Sequence, residues 1–185
     1  VVGDSQNGNL RRIFQLVSDS NKASLAQLAA RWSNSTLEKE LEPIIVSLLN
    51  RVKDSKQPIA DRLQVASELV RLAPPRNASV DQLQDLIGPQ SPVDLSTGLV
   101  VVLNQSQVGN LGKRFTDLNQ AATPALRDSI VQTMLSRPAL TSALLNSIRE
   151  GDLLMTDLSA DQRSRLMSHP DRQIRKTAEG LMKAG

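Results

Sequence analysis

Apolar positions recur at three- and four-residue spacing along most of this chain, broken by runs of Pro, Gly, Ser, Asn and Asp. In NLRRIFQLV, residues 9–17, Leu10, Ile13, Phe14 and Val17 share one stripe, which predicts an amphipathic helix. SDSNKA breaks it, and SLAQLAARW predicts a second short helix. Leu37, Leu41, Ile44, Ile45, Leu48, Leu49 and Val52 then give a broad apolar face. Pro43 lies inside that run, so the helix either opens near Glu42 with Pro43 in its first turn or is kinked there. An interior proline lacks the amide donor and crowds the preceding turn.

The pattern then becomes regular. IADRLQVASELVRL presents Leu63, Ala66, Leu69, Val70 and Ala73 to one side before APPRN stops it, and VDQLQDLIG is a short helix ended by Gly88 and Pro89. In SPVDLSTGLVVVLN, the LVVVL core at 99–103 fits either a strand or a buried helix by period alone. No second segment reads as its pairing strand and Pro92 suits a first helical turn, so a helix is expected. Thr123 is placed to cap a helix with Pro124 at its first position, and Leu126, Ile130 and Met134 repeat along it. Pro138 opens the next, where Leu140, Leu144 and Ile148 form a stripe that Gly151 ends. Ser159 with Gln162 has capping-box spacing, and Asp171 is placed to cap RQIRKTAEGLMKA.

RLQVASELV at 62–70 and RDSIVQTML at 127–135 share a leading arginine and apolar fifth, eighth and ninth positions. IRKTAEGLM at 174–182 repeats the apolar spacing with the arginine in second place. Helices this short are marginal alone and bury their faces economically when stacked in antiparallel pairs. The expected fold is all-α: a right-handed, HEAT-like α-solenoid (an ARM-type superhelix) of short antiparallel helix pairs. Residues 1–185 are expected to form one helical repeat domain, less regular over 1–57 and made of helix pairs over 58–185.

Composition narrows the chemistry more than it suggests a function. Across 185 residues there are 22 basic and 19 acidic side chains, a net charge of +3, which allows a nucleic-acid partner without indicating one. The absence of cysteine excludes disulfides, thiolate metal sites and cysteine nucleophiles. No stretch approaches the ~20 apolar residues of a membrane span, so membrane insertion is not expected. The opening VVGDSQNGN carries no initiator Met and reads as a piece of a longer protein.

The segment from Arg137 to Met182 carries a family resemblance. Ser136-Arg137-Pro138, Ala143-Leu144-Leu145, Ile148 with Gly151, Asp157-Leu158, Gln162-Arg163, Arg165-Leu166, His169-Pro170-Asp171 and Ile174-Arg175 are the residues that bear it. Together they resemble the end of a helical repeat region in large multidomain proteins of planctomycete and verrucomicrobial bacteria. In that family a β-propeller similar to sugar dehydrogenases commonly precedes the helices and a c-type haem domain with a CxxCH motif follows them. The family often places proline after HPD, where Arg172 stands here. The resemblance implies an exported or periplasmic, membrane-bound dehydrogenase-like parent, with haem c in a downstream domain. This chain has no CxxCH, so no cofactor role passes to any of its residues.

His169 is the sole histidine. A metal site needs several donors and acid–base catalysis needs a proton partner, and the sequence supplies neither beside it. His169, Pro170 and Asp171 therefore read as a structural corner, in which the histidine has no identified partner and the aspartate is a helix cap. Glu38, Glu40 and Glu42 spread around a helix, and Asp152 with Asp157 are too sparse for calcium. GNLGKR at 109–114 lacks the full phosphate-loop pattern and reads as a helix corner. Arg163, Arg165, Arg172, Arg175 and Lys176, with Lys183, make a possible basic surface for phosphate backbone, opposed by the lack of stacking aromatics around it: Trp32 is distant, and Phe14 and Phe115 fit helix stripes. The expectation is a non-catalytic spacer or docking domain whose partners are other domains of its chain or another protein, with a HEAT-like nucleic-acid module as the alternative.

Overall fold

The computed structural model describes residues 35–72 and 77–184. The helices expected at 9–17 and over SLAQLAARW, with Trp32, fall outside them, as do the side chains of Leu37, Glu38, Glu40, Leu41 and Ala73. The described residues are all-helical, with no strand among them. In chain order they form α1 (Ser35–Lys53), α2 (Ile59–Leu72), α3 (Asn77–Gln84), α4 (Val93–Leu103), α5 (Leu111–Ala121), α6 (Pro124–Met134), α7 (Pro138–Glu150), α8 (Ala160–Met167) and α9 (Arg172–Ala184), with a 3-10 turn at Met155–Asp157.

The chain gathers into two compact units that divide near residue 87. The first holds α1, α2 and α3 with Gln105–Val108. Here α1 packs on both α2 and α3, and α2 packs on α3. Pro43 lies inside α1, so the helix runs through it and does not open there. Ile45, Leu48, Leu49 and Val52 form its buried stripe against Val65, Ala66, Leu69 and Val70 of α2 and Val80 and Leu83 of α3.

The second unit holds α4 to α9. Neighbours pack in sequence and also at one remove: α6 on α7 and α8 on α9, but equally α4 on α6, α5 on α7 and α7 on α9. Polar bonds follow the same skip. The Gln162 side-chain amide of α8 donates to Asp128 of α6 at 2.8 Å across 34 residues, and the Arg165 guanidinium of α8 donates to Gln132 of α6 across 33. Asn104, after α4, donates to the Ser136 hydroxyl, after α6, across 32. One structural step thus takes about the same length of chain each time.

LVVVL is helical, as expected. α4 buries Leu95, Leu99, Val100, Val102 and Leu103 and leaves Val93, Asp94 and Val101 exposed, so β-branched residues are tolerated because packing on several sides outweighs their weak helix preference. Pro92 is the residue before the helix, with extended backbone, and not part of the first turn. Gly151 ends α7 at φ +85°, where the Asp152 amide donates to the Ser147 carbonyl and the Gly151 amide to that of Ile148. Ser159 and Gln162 exchange both capping-box bonds, at 3.2 and 2.9 Å.

Gly112 is required for another reason. A Cβ placed there would lie 2.5 Å from the Cβ of Ala143, so α5 and α7 cross closely at a pair of small residues. At Gly180, inside α9, nothing lies within 4 Å of such a Cβ. Gly112→Ala is therefore expected to destabilise the protein by about 1–3 kcal/mol through overpacking. Gly180→Ala should instead raise stability by up to about 1 kcal/mol through helix propensity. Urea unfolding midpoints of the two variants should move in opposite directions.

Candidate functional site

Of the residues singled out for chemistry, His169, Pro170 and Asp171 lie in a helix corner. An α-helix leaves its last carbonyls without intrahelical partners, and these carry partial negative charge. At the fourth helical position, the first whose amide bonds back to the residue before the helix, the Cα–Cβ bond tilts toward the N-terminus. A long side chain there runs back past the helix start into the corner it has just left.

This chain places arginine at that position repeatedly. The amides of Arg62, Arg114, Arg127, Arg163 and Arg175 donate to the carbonyls of Pro58, Asn110, Thr123, Ser159 and Asp171, which fixes the same register in α2, α5, α6, α8 and α9. Arg62 is 7% exposed, and its Nε donates to the Val52 carbonyl of α1 at 2.7 Å. Arg127 reaches the Gln120 carbonyl at 3.3 Å and Arg163 the Leu158 carbonyl at 2.9 Å. Arg175 donates to the carbonyls of His169 and Pro170. Arg114 turns to its own helix start, the Asn110 side chain, at 3.0 Å. α7 has Thr141 in this place, and the buried hydroxyl donates to the Met134 carbonyl of α6 at 3.0 Å. Arg137, just before α7, donates to the carbonyl of Asn104 at 2.7 Å.

The internal echo acquires its physical meaning here. Arg62, Arg127 and Arg175 occupy the same helical register, so the three copies align on the arginine, not on the fifth, eighth and ninth positions. Three residues further on, Val65, Ile130, Leu166 and Ala178 of α2, α6, α8 and α9 are all buried. In α9 the buried positions are Ile174 and Ala178, while Met182 is 41% exposed, a stripe rotated by one residue from the expected alignment.

His169, Pro170 and Asp171 form the corner between α8 and α9. The Asp171 Oδ1 accepts the amides of Gln173 and Ile174 at 2.7 and 3.3 Å, capping α9. The expectation that His169 lacks a partner is corrected: it is 9% exposed, and its Nδ1 accepts the Asp171 amide at 3.0 Å. Its own amide donates to the Leu166 carbonyl at 3.3 Å. The chain has no cysteine to which a c-type haem could be covalently attached.

The expected basic surface is divided by the same geometry. Arg163 and Arg175 bind backbone carbonyls and Arg165 binds Gln132, whereas Arg172 and Lys176 are exposed. Asp152 and Asp157 do not converge and line two different cavities. Gly112, in GNLGKR, serves the α5–α7 crossing, and Lys113 pairs with Asp117 at 2.9 Å on the exposed face. That bond, and then the Asp117 charge, raise the Lys113 ammonium above its ordinary pKa. Between α1 and α2, the Lys56 amide and then the Gln57 side chain hold Asp54 below the ordinary carboxylate value. The stability it adds is present above the unfolded carboxylate pKa and is lost as pH falls through the lower folded value. Among the described residues, no three His, Asp or Glu side chains gather as metal ligands.

The larger cavity, about 400 Å³, lies where the end of α5, the start of α6, the 153–159 segment and α8 meet. It was not legible in the sequence, because its lining comes from four separate stretches with no motif among them. Comparison with models of known families, with curated proteins and with solved structures found no match to this chain.

The corner geometry gives an ordered set of stabilities. Arg62→Met is expected to cost about 1.5–3 kcal/mol by removing a charged donor from a buried carbonyl, and Asp171→Ala about 1 kcal/mol by removing the cap. Arg172→Met, on the surface, should stay within about 0.5 kcal/mol of the parent. Chemical unfolding of the three variants tests the order.

Proposed function

We propose that this chain is a non-catalytic helical scaffold, serving as a spacer or protein-docking domain between the modules of a larger protein. The observation that supports the reading most is the use of its functional-looking side chains. Arg62, Arg127, Arg163, Arg175, Thr141 and Asp171 are directed at backbone groups of helix corners, where they close the fold. Pairing of helices with both their neighbour and the next but one, with polar links at 32 to 34 residues, favours a HEAT-like α-solenoid as the finer description. In the parent we place the chain beside a c-type haem domain in an exported, dehydrogenase-like protein, on the residues from Ser136 to Arg175 that resemble that family. No helix among the described residues is long and apolar enough to cross a membrane.

The nucleic-acid alternative needs a row of available cations, and three of the five proposed are held by acceptors of this chain. Fluorescence anisotropy with duplex DNA should show no saturable binding even at low salt, where counterion release favours it most. Saturable, salt-sensitive binding would replace the scaffold reading with the nucleic-acid one. The purified chain should also oxidise no sugar and leave the haem Soret spectrum unperturbed. A parent gene without a CxxCH downstream would overturn the haem-adjacent placement alone.

A further inference from the structure

We draw no further inference here: the strongest candidate, the apolar surface patch on α4 where Val93 and Val101 stand exposed on one side of the helix, carries nothing because nothing in the structure shows what covers it.

Discussion

The structure depends on finding partners for carbonyl groups at the ends of short helices. A helix of eight to fourteen residues, the range from α3 to α2, leaves its last four carbonyls outside its own ladder, a large share of its backbone. Tight corners bring such carbonyls within reach of the next helix, and at Val52 the bond is buried. A residue at the fourth helical position is the nearest one whose side chain naturally points back into the corner. Arginine meets the requirement with a long stem, several donors and a charge that the helix C-terminus attracts. Threonine does so only where the carbonyl is close, as at Thr141.

This constraint changes the meaning of the chain's charge. The positive excess reads as a surface property in the sequence, yet Arg62, Arg163 and Arg175 are turned onto the chain's own carbonyls. Arg62 is nearly as buried as the leucines around it, and Arg163 and Arg175 are half-buried. The same logic explains the HPD corner, where histidine, aspartate and Arg175 together satisfy donors and acceptors between α8 and α9. Among the described residues, the buried side-chain oxygens of Ser96, Asn104, Asn119 and Ser147 are left without a partner.

Most of the helices were legible because their stripes and stop signals are local: Pro124, Pro138, Gly151 and the Ser159–Gln162 box act within a turn of where they stand. LVVVL was decided by the absence of a pairing strand, a non-local argument that held. The echo of Arg62, Arg127 and Arg175 was visible as a pattern, but its register was not, because apolar spacing tolerates a one-residue rotation that a hydrogen bond does not. The partner of His169 lies two residues away and was still missed, since whether Nδ1 faces the Asp171 amide depends on how the corner closes. The packing role of Gly112 was illegible because its neighbour, Ala143, is remote in sequence. The cavity beside Asn119 was illegible for the same reason.

The central claim is that arginines at the fourth helical position close the corners and thereby hold the packed helices of each unit in place. It is tested most directly by two variants that lose equal charge. One replaces Arg62, Arg127, Arg163 and Arg175 with Met, and the other replaces the exposed Arg51, Arg149, Arg172 and Lys176 with Met. Urea unfolding of both at one ionic strength compares corner bonds with charge alone. The account predicts that the first variant loses several kcal/mol, about 1.5–3 for the buried Arg62 bond and less for each of the half-buried Arg163 and Arg175 and the exposed Arg127, while the second stays near the parent. Equal unfolding midpoints for the two variants would contradict it.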